Sequence, residues 1–529
     1  MKKDAGKYRL RHHQKYALIS VYNKKEVETF ARGLQKLGYL IISTGGTAAY
    51  LQKNRIPVIP IQQITGNPEA FDGRMKTISF AIESGILFDR SKTTHQKQAR
   101  QLDIKPIDVV VCNLYPFEKN IQNTKVTLQT AVESIDVGGP TMIRAAAKNF
   151  AHVLPVVDPG DYQSVLDNFS SNKKNAEFRK HLAAKAFYHL SLYDSQIARY
   201  LGEEHFPEEI TIPGRKSMRL RYGENPHQQA AMYLDPQATI PLKNLKKLSG
   251  RDLSLLNVTD IYAGFEVVRL FKEPAATVIK HNSPCGIAIG SSPKTALQRA
   301  IQADPESAFG GIIVLNKTMD LATAKVIGTF KDEQKSNIDI VAVPHLTLEA
   351  TSYLKTVRKT MGIYTFGRIP LHFHEKFDVK WLGEGFVLQT ADENIEQSFA
   401  NWQTVTHNKP TRLQLKQMQT AWKFISRIHS NSVIVIDPTV PMTRGIGSGQ
   451  TSRIRSTMIA LEQAGIWTKN AILVSDSFFP FDDSVRLAAK YGISVIVQQG
   501  GSVNDQLSIK AADELGLIMV FTNRRAFWH

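Results

Sequence analysis

Two cysteines, Cys112 and Cys285, are all that 529 residues contain. This excludes a disulfide framework and a zinc site built from a cysteine cluster, and it suits a reducing compartment. No apolar run approaches the roughly 20 residues that span a bilayer. Acidic residues are also short, 48 against 66 Lys and Arg, for a net charge of +18 and a pI near 9.6. The basic surplus is spread along the chain, with no long Lys/Arg tract and no nucleic-acid-binding module. Attraction of small polyanionic substrates and plain solvated surface both account for it. Without a Walker or dinucleotide fingerprint, neither ATP nor NAD is implied. No low-complexity tract and no internal repeat is visible by eye.

What is present has a globular composition, 42% hydrophobic and 22% charged, and room for roughly three or four domains. Residues 1–15, MKKDAGKYRLRHHQK, are basic with no apolar segment behind them and read as a solvated arm. From residue 17 to about 160 strands and helices alternate. Ala17–Val21, Tyr39–Ile42 and Asp108–Cys112 read as buried strands, and His152–Val157 as an edge strand because of Pro155. Val27, Phe30, Leu34 and Leu37 recur at helical spacing. The rhythm predicts a doubly wound parallel α/β sheet. Gly202–Ser217 is the predicted domain boundary, and beyond it strands are expected at 276–280, 311–315, 338–343, 432–436, 494–497 and 517–522.

Several segments carry groups suited to chemistry. Ser43-Thr44-Gly45-Gly46-Thr47 joins a strand to a helix, where glycines admit a phosphate and the helix offers free N–H groups. An ordinary capped turn has the same residues. Arg74 and Lys76 would face the same way if extended, which suits an anion as well as open surface. Tyr115 follows a strand end, where ligands sit in open α/β sheets, or is a core aromatic. Asp136 lies at a Gly-rich turn before the helix bearing Lys148. Lys280-His281 ends the strand Ala276–Ile279 and enters a Pro/Gly turn, placing a titratable imidazole beside a cation. Further along are Arg221-Tyr222, the Asp304–Gly311 turn, Ser430-Asn431-Ser432, Gly445–Arg453, Ser475–Phe481 and the C-terminal Arg525-Ala526-Phe527-Trp528-His529.

In their order along the chain, STGGT, DGRxKT, NLYPF, IDVGGPTMIRAAAKN, RYGENPHQ, VIKHNSPCG, DPESAFGG, SN, GIGSGQTSR, SDSFFPF and TNRR resemble the PurH family of bifunctional AICAR transformylase/IMP cyclohydrolase enzymes. The resemblance covers about residues 16–529. After the basic arm over 1–15, it implies a methylglyoxal-synthase-like cyclohydrolase domain over 16–205 and a transformylase over 206–529 made of two cytidine-deaminase-like α/β/α units. It also implies 10-formyltetrahydrofolate as co-substrate, no catalytic metal, and a cytoplasmic homodimer. The small-molecule partners would be AICAR, formyl-AICAR, IMP and reduced folate, with no membrane and no specific nucleic acid. By position, Lys280, His281 and Asn431 match the transformylase centre, and Lys76, Tyr115, Asp136 and Lys148 the cyclohydrolase centre. Ser20, Lys24, Thr44, Gly46, Thr47, Arg74, Thr77, Asn113, Leu114 and Gly138 match cyclohydrolase nucleotide contacts. Arg221, Tyr222, Gly310 and Arg525 match transformylase nucleotide contacts. Phe478, Asp483 and Asp339 match folate-side or nearby positions, and Phe527 and His529 the family's C-terminal residues.

Departures cluster beside the first centre. Ser79-Phe80 stands where the family has His-Pro, Ser84 replaces the first of two glycines, and Tyr22 and Asn23 precede Lys24. In the second half, His429 stands where Lys is common and Asp482 where Arg is. Two alternatives follow: a transformylase with an impaired cyclohydrolase, and a basic nucleic-acid-binding scaffold.

Overall fold

Short apolar runs and amphipathic helices build most of the large sheets among the described residues. The computed structural model describes residues 14–122, 125–171, 175–334, 336–369, 377–393 and 395–529. The expected basic arm, as far as His13, lies outside them. Two compact units form, one running to Gly214 together with Asp235–Gln237, the other Arg215–Leu234 with Ala238–His529.

In the first unit, β1 (Lys15–Val21), β2 (Tyr39–Ser43), β3 (Ile59–Pro60), β4 (Ile107–Asn113) and β5 (Leu154–Val156) form one sheet, ordered β3-β2-β1-β4-β5. All neighbours are parallel. Tyr16 and Leu18 of β1 enter one core, and Ala17, Ile19 and Val21 the other. That is the period-two alternation of a strand buried on both faces. Pro155 lies on an edge strand, where a missing N–H is tolerated. Helices α1 (Val27–Lys36), α2 (Gly45–Lys53), α3 (Phe80–Leu87), α4 (Gly138–Lys148) and α5 (Ala176–Leu201) belong to this unit. α1 turns Val27, Phe30, Ala31 and Leu34 inward.

The second unit holds two six-stranded sheets. The first contains β6 (Lys246–Ser249), β7 (Ala275–Lys280), β8 (Ser283–Ile289), β9 (Ile312–Leu315), β10 (Ile340–Val343) and β11 (Gly362–Thr365), ordered β8-β7-β9-β10-β11-β6. The second contains β12 (Gln403–Thr404), β13 (Val433–Ile436), β14 (Thr443–Gly447), β15 (Ile472–Ser475), β16 (Val495–Gln498) and β17 (Ile518–Phe521), ordered β14-β13-β15-β16-β17-β12. Strand for strand the two orders are identical, and so is the pattern of parallel and antiparallel pairs. An internal repeat is therefore present where none is visible in the sequence, because the repeat conserves topology and burial pattern rather than residue identity.

Between the sheets lie α6 (Leu255–Val268) and α7 (Arg412–Ile425). One core gathers Val258, Ile261 and Phe265 of α6, Met418, Trp422 and Ile425 of α7, and alternate residues of both sheets, including Ile312, Val314, Ile434 and Ile436. The other faces have separate cores containing Ile313 and Leu315, or Val433 and Val435.

Two sequence expectations are corrected. The turn that Lys280-His281 enters is not made by Pro284 and Gly286, which lie in β8. His281 and Asn282 form a two-residue hairpin, with φ values of 54° and 60°, and Ser283 pairs with Lys280 as β8 begins. Both positive φ values suit a turn that matches the twist of its strands. Gly445 and Gly447, in a segment that reads as free backbone donors followed by an arginine, are not loop residues. They lie in β14 against α8 (Arg453–Ala464), where a Cβ would strike the carbonyl oxygens of Ala460 and Ser456. Gly286 of β8 similarly faces the carbonyl of Ala300 in the helix Pro293–Ala303.

Candidate active sites

In the first unit the strand order reverses between β1 and β4, and a ligand crevice is expected outside the carboxyl ends of such strands. Register places Ser20 opposite Cys112, Val21 opposite Asn113, and Ile19 opposite Ser43. Ser20, Thr44, Asn113 and Leu114 thus stand at one end of the sheet. Thr47 Oγ1 accepts from Val21 N–H at 3.1 Å and donates to its carbonyl at 3.0 Å. The Lys24 ammonium donates to the Val21 carbonyl and lies 3.2 Å from Thr47 Oγ1. Burial pushes the pKa of Lys24 down. α2 begins at Gly45, and nothing lies within 4 Å of a Cβ built on Gly45 or Gly46, so the backbone is open to a close approach.

The Asp136 carboxylate accepts from Gly139 N–H at 2.8 Å, and Asp136 N–H donates to Tyr193 Oη at 2.7 Å. Burial raises the carboxyl pKa, opposed by the Gly139 hydrogen bond and the charge of nearby Lys76. A side chain on Gly138 would collide with Thr77 Oγ1, and one on Gly139 would stand 2.7 Å from Leu114. These glycines therefore let α4 close on Thr77 and Leu114. Tyr115 is 47% exposed, which removes the core-aromatic alternative. Its ring lies 5.0 Å from that of Tyr22.

One expected member stands apart from the rest. Lys148 is the exposed last residue of α4, roughly 15 Å along the helix from Gly138 at about 1.5 Å per residue. Arg74 and Lys76 are not on an extended strand. The chain turns back between Ala70 and Met75, and the Arg74 guanidinium is paired with Glu133. Two of the departing residues make defined hydrogen bonds. Asn23 N–H donates to Asn113 Oδ1 at 2.8 Å, and Ser79 Oγ caps α3 by accepting from Ile82 N–H at 3.2 Å.

In the second unit, the Lys280 ammonium donates to the Phe309 carbonyl at 3.0 Å, and the next residue, Gly310, turns with a φ of 74°. Asp339 N–H donates to the Gly311 carbonyl at 3.0 Å, and its carboxylate is forked by Arg251 at 2.9 Å and Arg358 at 2.8 Å. Arg221 stacks 4.6 Å from the Tyr222 ring and donates to its hydroxyl at 2.9 Å. The His281 turn is held from below by Asp260, whose carboxylate accepts from Asn282 N–H at 2.6 Å. Burial pushes the Asp260 pKa up, against the hydrogen bonds and charge of the turn.

Ala288 bridges Met442 antiparallel, and Ile287 N–H donates to Thr443 Oγ1 at 3.0 Å. Moving from there toward His281 is moving toward Gly447, which pairs with Val433 beside Asn431. The two groups thus lie toward the same end of their sheets. Asn431 Oδ1 accepts from Arg453 at 2.7 Å, and its Nδ2 donates to the Gln450 carbonyl at 2.9 Å. The C-terminal segment returns to this point: Ser430 N–H donates to the Trp528 carbonyl at 2.9 Å. Arg525 and Arg453 flank the Phe527 ring at 4.4 and 5.9 Å, and His529 packs edge-on at 5.5 Å. His429 packs against Trp528 at 4.9 Å, and burial pushes its pKa down, with help from His529 and Lys380. Of the three phenylalanines, Phe479 is core, Phe478 half-buried and Phe481 exposed. Asp482 is paired with Arg486 at 2.7 Å, and Asp483 Oδ1 accepts from Ser484 N–H at 2.6 Å.

Residues 146–463 match a family model described as the AICARFT/IMPCHase bienzyme, and residues 26–141 one described as an MGS-like domain. The chain belongs to the AICARFT/IMPCHase bienzyme family. Three relatives named "Bifunctional purine biosynthesis protein PurH" illustrate the likeness. Those of Thermoanaerobacter sp. strain X514, Listeria welshimeri and Lactiplantibacillus plantarum are 43%, 42% and 42% identical, each over 97% of this chain and all of their own length. A solved structure titled "Crystal structure of ForH" is 33% identical, covering 35% of this chain and 95% of its own, with a TM-score of 0.33.

Sequence reading did not single out Asp260 or Asp476, and it took Arg453 only as an arginine following the backbone donors of Gly445–Gly449. Asp260 sits at an inward position of α6 in TDIYAGF, where an acid among apolar residues was the available signal.

Proposed function

We propose that the chain carries out the last two steps of de novo purine biosynthesis, each in its own unit. The second unit moves a formyl group from 10-formyltetrahydrofolate to AICAR. The AICAR amine is a poor nucleophile, because its lone pair delocalises into the imidazole carboxamide. As it attacks the formyl carbon, His281 takes its proton. Lys280 stabilises the oxyanion of the tetrahedral adduct. Collapse breaks the bond to the folate N10, which takes up a proton and leaves as tetrahydrofolate. Asn431, with its amide oriented by Arg453, directs one donor and one acceptor at the reacting groups. Arg221, Tyr222, Gly310, Arg525, Phe527 and His529 hold the nucleotide, while Phe478 and Asp483 lie on the folate side.

In the first unit the carboxamide nitrogen of formyl-AICAR attacks the formyl carbon, and loss of water gives IMP. Lys24, Thr44, Gly46 and Thr47 hold the nucleotide at the strand ends. Lys76 stabilises the developing charge, and Asp136 and Tyr115 move protons. The observation that carries this reading is the meeting of Thr77, Leu114 and Asp136 at the Gly138-Gly139 start of α4. A carboxyl whose pKa is raised by burial is suited to proton exchange nearer neutrality. We further assign the chain a homodimeric state and the cytoplasm as its compartment, from family membership and the scarcity of cysteine.

Synthetic formyl-AICAR supplied without folate should yield IMP, and Lys76→Ala should abolish this. No IMP above the uncatalysed background would refute the first-unit assignment and leave a transformylase alone. His281→Ala should lower formyl transfer by about 10²- to 10⁴-fold while sparing folate-independent IMP formation. Unchanged formyl transfer would remove His281 as the base.

A further inference from the structure

Asp476 follows β15 and is completely buried. A carboxylate withdrawn from water persists only when its oxygens are saturated. Here Oδ1 accepts from the Arg453 guanidinium, which also donates to Ser475 Oγ at 3.0 Å. Oδ2 accepts from Ser430 Oγ at 2.6 Å, Ser432 N–H at 2.8 Å and Ser432 Oγ at 2.9 Å. The other end of the same guanidinium is the donor to Asn431 Oδ1. Asp476 also reaches the end of the chain: its carbonyl accepts from Ala526 N–H at 2.8 Å, and Trp528 N–H donates to Ser430 Oγ at 3.3 Å.

We propose that Asp476 is a positioning residue for formyl transfer: its buried carboxylate orients the Asn431 amide through Arg453. An unanchored asparagine amide can exchange its donor and acceptor ends by rotating half a turn. With Arg453 on the oxygen and the Gln450 carbonyl on the nitrogen, only one orientation keeps every partner satisfied. The guanidinium is itself held by its pairing with Asp476. A connected network around a buried carboxylate is rigid, so the effect reaches atoms that Asp476 does not touch.

This inference rests on the assignment of Asn431 to formyl transfer, and the test separates the two. Full-length enzyme is assayed with AICAR and 10-formyltetrahydrofolate, and separately with formyl-AICAR alone. Asp476→Asn should lower the kcat of formyl transfer by about 10- to 100-fold, the scale of a misplaced catalytic group, with IMP formation from formyl-AICAR unchanged. In an Asn431→Ala background the same substitution should lower kcat by less than about twofold, because residues acting as a unit are not additive. Should Asp476→Asn fail to fold, Arg453→Lys keeps a cation against Asp476, loses the second donor to Asn431, and should show the same dependence on background. Equal losses in both backgrounds, or no loss at all, would overturn the inference and make Asp476 a structural residue. Wild-type kcat in Asn431→Ala alone would instead overturn the assignment of Asn431.

Discussion

Glu83 carries a prediction at the scale of one residue. It lies on α3, and its buried Oε1 meets no hydrogen-bond partner among the described residues. Burial alone pushes its pKa from 4.5 up to about 7. The folded state therefore favours the protonated acid. That contribution to stability is complete below pH 4.5 and is lost as the pH rises through 7. Glu83→Gln keeps the shape and stays neutral, so its unfolding midpoint should fall less steeply over this range in thermal melts. Equal slopes would mean that Glu83 is ionised in the native state. The pair at Gly138 is more severe. Gly138→Ala should drive a methyl into Thr77 and impair IMP formation from formyl-AICAR, while formyl transfer, made by other residues in another unit, should persist.

Among elements, the pairing of each β-hairpin with a following helix decides much. β14 and α8 approach so closely that only glycine fits at 445 and 447, and the same holds at Gly286. Gly447→Ala should destabilise the second unit by about 1–3 kcal/mol through overpacking, read as a lower denaturant midpoint for loss of formyl transfer. An unchanged midpoint would show that α8 can shift away. The β7–β8 hairpin shows the opposite use of backbone conformation. Its two positive-φ residues are His281 and Asn282 rather than glycines. Asparagine tolerates that conformation, and histidine enters it at a cost. The cost is offset by Asp260, which grips the turn from α6. Asp260→Asn should therefore slow formyl transfer without loss of IMP formation from formyl-AICAR; an unaffected rate would show the turn to be self-sufficient.

For the whole molecule the excess of +18 is the largest electrostatic feature. If it draws in polyanionic nucleotide and folate, apparent KM values should rise as added salt screens the field, while kcat changes little. A KM independent of salt would leave the charge as solvated surface. The sequence by itself determined the α/β class, the family, and every strand that reads as an unbroken apolar run, such as Ala276–Ile279 and Val433–Ile436. Burial on both faces writes itself directly into composition. β8 and β14 were not legible, because their glycines read as turn residues, and only the helix packed on each strand explains them. The topological repeat was implied by the family resemblance but not visible in the residues themselves, because strand order and pairing direction leave no local trace in sequence. Single positions show the same division. Tyr115 and Asn431 could be named from motif order, but the exposure of one and the locked amide of the other are set by their neighbours. Lys148 shares a motif with Asp136 yet stands a helix length from it, since a rigid helix separates what the motif joins. Only the tertiary structure could bring Asp476 to Asn431 and the end of the chain, because a buried charge is satisfied by partners from segments that fold together from distant parts of the sequence.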